Sequence, residues 1–208
     1  MREQLHDGLS LFGQSGSRKY LNAAERRRFL ESAQQLPPPE RLFCLALGWS
    51  GARISEALAL TPASIDIESG VASIQTLKRR KRGIVRQVPL PSDVLVQLDR
   101  EFKLRDAHDP ELANERIWKW SRTTAWRRVK ETMAAAGIFG TAAMPKGLRH
   151  TFGVNAFQSN VPPHLVQRWL GHASQRTTSI YGDVVGPDER AFAMRMWSKR
   201  QPVWPTTN

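Results

Sequence analysis

The sequence predicts a mainly α fold carrying one small three-stranded antiparallel β-sheet, an α+β architecture. Apolar residues recur at helical spacing over most of the 208 residues, whereas the stretch from 64 to 90 is rich in β-branched residues punctuated by glycine. Hydrophobic residues make up 40% of the chain, including seven tryptophans, which is enough apolar surface for a real core. The length suits one domain with short arms, and the chain divides into an N-terminal arm (1–20), a domain (21–185) and a helical tail (186–208).

Residues 1–20 mix glycine, serine and charge without periodicity and read as an arm. Asn22 is an N-cap residue for a helix running to about residue 35. Pro37-Pro38-Pro39 then opens a second, more apolar helix, because proline is tolerated in a first turn, and Gly51 stops it. A third helix covers 53–60. Beyond Pro62, strands are expected at 64–67, 71–77 and 84–90, with Gly70 and Gly83 marking the turns. Helices return at 92–105, 121–136 (Gly137 as the stop), 145–159, 163–170 and 174–181, and a last amphipathic stretch spans 188–199.

The lone Cys44 lies in the apolar run Leu42-Phe43-Cys44-Leu45-Ala46-Leu47, which excludes an intramolecular disulfide and reads as a small buried hydrophobe. No cysteine cluster exists for structural zinc, and His108 and His164 lack ligand-like neighbours, so no metal is expected. Trp118, Trp120, Trp126 and Trp169 offer stacking faces for bases, but Trp126 and Trp169 sit at helical spacing among apolar neighbours and read as core.

Charge points to the partner. Thirty-one Lys+Arg against 19 Asp+Glu give +12 and a pI near 10.8, a field that favours nucleic acid. No apolar run approaches the ~18 residues of a membrane span, and the N-terminus lacks the order of a signal peptide, so a cytoplasmic protein away from membranes is expected.

The basic residues are clustered. In Gly51-Ala52-Arg53-Ile54-Ser55-Glu56 an arginine stands in the first turn of a helix, where the macrodipole disfavours a cation unless an anion binds there too. The alternative is a surface Arg53 paired with Glu56 at i,i+3, worth only ~0.2–0.5 kcal/mol. The arrangement recurs in Met144-Pro145-Lys146-Gly147-Leu148-Arg149-His150-Thr151-Phe152, where Lys146 and Arg149 lie one turn apart and Leu148 and Phe152 face the core. Helix N–H groups, the dipole and a guanidinium that grips two oxygens make a phosphate site; the alternative is two solvated charges. A third cluster, Lys78, Arg79, Arg80, Lys81, Arg82 and Arg86, has no acidic residue among it. Charge at a hairpin tip blocks edge pairing, yet six cations exceed that need and read as contacts to a DNA backbone. Tyr181 closes the run Leu170-Gly171-His172-Ala173-Ser174-Gln175-Arg176-Thr177-Thr178-Ser179-Ile180-Tyr181, and a phenol facing a phosphate so held is a nucleophile.

Taken in order, these boxes resemble the tyrosine recombinase family, also called the phage integrase family, from about residue 20 to 183. Gly51-Ala52-Arg53-Ile54-Ser55-Glu56 is similar to its first arginine box, Gly147-Leu148-Arg149-His150-Thr151-Phe152 to its second, and the segment from Leu170 to Tyr181 to its nucleophile segment. The resemblance implies the family's catalytic-domain fold and a site-specific DNA recombinase. In that reading Tyr181 attacks the scissile phosphate, forming a 3′-phosphotyrosine and freeing a 5′-hydroxyl. Arg53 and Arg149 neutralise the non-bridging oxygens, His172 donates to them or orients the nucleophile, and a hairpin lysine protonates the leaving oxygen. Lys78 matches that lysine best and Lys81 second. Neither metal nor cofactor is implied. The implied partners are double-stranded DNA and a homo-tetramer assembled on it, with a monomer when free.

Two departures stand out. Lys146 occupies the position where the family most often has histidine, keeping charge but losing a group that titrates near neutrality, and His150 falls outside the family's catalytic set and reads as structural. The lead-in of 20 residues is also too short for the separate helical N-terminal domain of many members, so the chain resembles either the short members or an excised catalytic domain. Phe192, Met194, Met196 and Trp197 give the tail an apolar face that docks on a neighbouring subunit or on its own domain. Alternative functions are a DNA-binding regulator that cuts little, a topoisomerase-like strand relaxer, and an RNA-binding protein using charge alone.

Overall fold

The computed structural model describes residues 10–13, 15–77, 83–106, 110–182 and 194. Helix α1 (Ala23–Gln34) opens on a reciprocal cap. The Glu25 amide donates to Asn22 Oδ1 at 2.8 Å, and the Asn22 amide donates to Glu25 Oε2 at 2.8 Å. Helix α2 (Pro38–Ser50) starts on proline and is buried from Leu42 through Gly48. Its stop at Gly51 is doubly determined: φ is 60°, and a Cβ there would lie 2.6 Å from the Phe152 ring.

The expected third helix shrinks to the single turn α3 (Ile54–Ala57), followed by a 3-10 turn, Pro62–Ser64. Strands β1 (Ile65–Asp66), β2 (Val71–Gln75) and β3 (Val85–Pro89) form an antiparallel sheet in the order β1-β2-β3. Ala72 pairs with Val88 and Ile74 with Arg86, and these four side chains form the buried face. Lys78, Arg79, Arg80, Lys81 and Arg82 lie outside the described residues.

Helix α4 (Ser92–Phe102) ends before residue 105 because Lys103 turns left-handed at φ 49°, and a 3-10 turn, Leu104–Asp106, follows. A short helix that the sequence pattern did not suggest, α5 (Pro110–Asn114), precedes α6 (Arg122–Ala135). Ser121 caps α6 by accepting from the Thr124 amide at 3.0 Å. Helix α7 (Pro145–Gln158) and helix α8 (Pro163–Leu170) follow, and the expected helix over 174–181 is one turn, α9 (Arg176–Ser179). Of the tail helix expected at 188–199, only Met194 is among the described residues, and it is exposed.

The larger core gathers α1, α2, α4, α6, the sheet and the start of α7, and Cys44 and Trp118 are buried in it. Burial pushes the Cys44 thiol up to about 11. Trp126 departs from the expected core placement: it is 43% exposed, because the buried stripe of α6 runs through Ala125, Val129, Thr132 and Met133 and leaves position 126 beside it. Trp169 does pack inward, edge-on to Phe152. A second cluster joins Leu11, Tyr20, Val154, Ala156, Val166, Leu170 and Tyr181. The stretch expected as a loose arm thus contributes to the interior: Phe12 pairs with Arg18 in a tight antiparallel bridge, and the Leu21 amide donates to Thr151 Oγ1 at 2.8 Å.

Candidate active site

Arg149 is 7% exposed and ties two helix ends together. Its Nη1 donates to the carbonyl of Gly51, beyond α2, at 2.7 Å, and its Nη2 donates to the carbonyl of Leu170, the last residue of α8. Those two bonds use two of five guanidinium hydrogens, leaving the rest of the fork for an anion. Burial, reinforced by the charge of Arg53, lowers Arg149 to about 10, so it stays a cation at neutral pH.

Arg53 sits at the N-cap of α3, half-exposed, with Nη1 2.7 Å from Glu56 Oε1. The i,i+3 pairing foreseen as the alternative to a phosphate site is therefore present, and it holds the guanidinium in place beside Arg149. Glu56 is the hub. Its other oxygen accepts from Arg86 Nη2 at 2.6 Å, and the Arg53 amide donates to the same oxygen at 2.9 Å. Burial alone would raise the Glu56 carboxyl, but the hydrogen bond and charge of Arg86, with the Arg53 amide and charge, hold it below the usual range.

Arg86 corrects an expectation. It was grouped with the DNA-contacting hairpin cations, yet it is 4% exposed, donating through Nε to the Trp169 carbonyl at 2.7 Å and through Nη1 to Thr76 Oγ1 at 3.3 Å. Position 86 shares the inward face of β3 with Val88, so the side chain points at Glu56 rather than outward.

His172 follows the left-handed Gly171 that closes α8, and its Nδ1 lies 3.0 Å from Thr178 Oγ1. Burial first, then the charges of Arg149 and Arg53, lower its imidazole to about 3, leaving it neutral. With the Thr178 hydroxyl assigned as donor to Nδ1, Nε2 carries the proton and is a hydrogen-bond donor. The ring stacks on Tyr181 with centroids 6.1 Å apart and planes 14° apart. Beside it, a cleft of about 280 Å³ is lined by Thr76, Arg86, His164, Arg168 and Gly171, among others.

Tyr181 is 2% exposed, and its ring lies so close over α7 that a Cβ on Gly153 would fall 2.6 Å from Cζ. Burial raises the phenol, against a downward pull from Arg149 and Arg53. Its hydroxyl is 3.2 Å from His150 Nδ1. His150, read as structural from sequence, therefore touches the candidate nucleophile. Lys146, one turn earlier on α7, is exposed, and Arg149 between them turns inward. The sequence reading missed Glu56 as a hub, His150, Thr178 and Gly153. The i,i+3 spacing of His150 and Gly153 was the available signal, since a glycine there clears room for a ring beside the histidine.

A helical domain with one three-stranded sheet, whose two arginines, histidine and tyrosine converge from four separate segments, has the tyrosine recombinase catalytic-domain fold. The chain belongs to the phage integrase family, whose model matches residues 19–185. It is 31% identical over 167 residues to the tyrosine recombinase XerA of Pyrococcus furiosus, covering 78% of this chain and 56% of that protein. The chain thus spans little more than half the length of that relative. The crystal structure of XerA recombinase superposes with a TM-score of 0.71 at 22% identity, covering 88% of this chain and 65% of that one. XerH site-specific recombinase, in a post-cleavage complex with its palindromic difH substrate, gives 0.70 at 24% identity over 91% and 57% of the two chains.

Proposed function

We propose that this chain is the catalytic unit of a site-specific DNA recombinase that cuts and rejoins duplex DNA through a 3′-phosphotyrosine. Arg149 locked on the Gly51 and Leu170 carbonyls, Arg53 held by Glu56, and the Tyr181 ring stacked on His172 are the arrangement that carries this reading. A phosphodiester held between the two guanidinium groups would have its non-bridging oxygens neutralised as negative charge grows on the pentacoordinate phosphorus. His172 Nε2–H supplies a further donor to those oxygens, and Lys146 adds charge at the start of α7. Tyr181 Oη attacks in line, and the 5′-oxygen leaves with a proton from Lys78 or, as the second candidate, Lys81. Arg79, Arg80, Lys81 and Arg82 contact the DNA backbone outside the cleaved phosphate. The protein would act as a homo-tetramer on two duplexes, within the cell at the nucleoid.

The burial of Tyr181 and the lysine at 146 favour one second reading, a DNA-binding regulator that keeps the phosphate site and does not cut. A nicked suicide substrate taken from the flanks of the encoding gene separates the two. Wild type is expected to leave a DNA–peptide adduct on a denaturing gel, confirmed by mass spectrometry, and Tyr181→Phe to leave none. Binding without an adduct, on DNA shown to contain the site, makes the regulator reading correct.

A further inference from the structure

His150 reaches the Tyr181 hydroxyl itself, and the proposed chemistry gives it no task. Its Nδ1 is 3.2 Å from the phenol oxygen, within hydrogen-bond reach for proton transfer. Its other nitrogen, Nε2, is buried without a hydrogen-bond partner among the described residues. Among the described residues this polar ring bonds to the nucleophile alone, and no capping or bridging task explains it. Resting on the recombinase reading above, we infer that His150 is a catalytic residue, its Nδ1 taking the Tyr181 proton as the phenol oxygen attacks phosphorus.

The step balances. The Oη–H bond breaks and its proton passes to Nδ1. The Oη–P bond forms as the P–O5′ bond breaks, and the leaving oxygen takes its proton from the hairpin lysine. Rejoining runs the same transfers backwards, with imidazolium His150 returning the proton to the phenol.

Electrostatics couples this transfer to DNA. Without DNA, burial first and then the charges of Lys146, Arg149 and Lys19 together lower His150 to about 4, so the ring is neutral and able to accept. Lys146 and Arg149 come from α7 and Lys19 from the N-terminal hairpin; the Tyr181 ring lies 6.0 Å from the imidazole, and neutral His172 is near enough to interact with it electrostatically. A phosphodiester anion seated on Arg149 offsets part of that positive field and raises the basicity of His150. The base therefore gains strength when the scissile phosphate arrives.

The test uses the full chain and the suicide substrate, with the adduct-forming rate followed from pH 5 to 10. His150→Asn keeps an acceptor near the Nδ1 position but takes no proton. It is expected to form adduct about 100-fold more slowly at neutral pH and to regain rate as alkali ionises the phenol directly, where wild type is flat. Its DNA affinity and melting temperature should match wild type. A wild-type rate with an unchanged profile, or a loss equal at every pH, overturns the inference. Should His150→Asn fail to fold, Lys146→Gln serves instead: removing a neighbouring cation raises His150, so the acidic limb of the profile moves to higher pH, and an unmoved limb overturns the inference. No adduct from wild type on DNA that it binds sinks the recombinase reading and this inference with it, whereas a wild-type adduct beside an unaffected His150→Asn sinks this inference alone.

Discussion

Arg149 shows how one residue serves structure and chemistry together. Its fork is anchored on the Gly51 and Leu170 carbonyls, which fixes the orientation in which the charge would meet a phosphate in the proposed chemistry. Arg149→Lys keeps the charge but leaves a buried carbonyl without a donor, which should lower unfolding free energy by about 1–3 kcal/mol in urea titrations. Arg53→Ala, at a more exposed ion pair, should cost about 1 kcal/mol or less, while both variants abolish adduct formation. Equal destabilisation by the two would contradict the anchoring role. Gly153→Ala belongs at this scale as well. The added methyl displaces the Tyr181 ring, and a drop of several degrees in melting temperature together with a slower adduct-forming step is expected.

Between elements, the Arg53–Glu56–Arg86 chain links α3 to β3, and Arg86 continues it to the last turn of α8 through the Trp169 carbonyl. Removing one partner of a buried pair strands the other, so Glu56→Gln should destabilise by about 3–5 kcal/mol. The Glu56 carboxyl is held below its ordinary 4.5 in the folded state, so its contribution is fully present above that value and is lost as pH falls through the lower folded value. Melts from pH 7 to 3 should show a shallower acid decline in Glu56→Gln than in wild type. This linkage also marks where sequence reading stops. Local signals were legible: Asn22 as a cap, Gly51 and Gly137 as stops, and the β-rich stretch between 64 and 90 as a sheet. Arg86 was misread because strand alternation places it inside while its charge argues for the outside, and the carboxylate that decides the matter lies 30 residues away. The early end of α4 at a left-handed Lys103 has no sequence signal, because that conformation is one that glycine or asparagine ordinarily adopts. Arg53, Arg149, His172 and Tyr181 were legible as boxes. His150 was not, because its role comes from the packing of Tyr181 against α7.

For the whole molecule, the net charge of +12 sets how it meets a polyanion. DNA affinity should fall steeply with salt, with log K dropping by about 0.9 per phosphate contact for each tenfold rise in salt. Replacing Lys78, Arg79, Arg80, Lys81 and Arg82 with glutamine should flatten that slope by several units, whereas Arg86→Gln should leave the slope alone and lower the melting temperature. Filter binding across a salt series, beside a melt, checks both halves. The hairpin that brings Leu11 and Tyr20 into the cluster holding Tyr181 has a mechanical consequence. A pull applied ahead of residue 10 would reach the cluster that holds Tyr181, the proposed nucleophile, through this short bridged segment. A bulky fusion placed there would act on the reaction as a load, and its effect should fade as a flexible spacer between fusion and hairpin is lengthened.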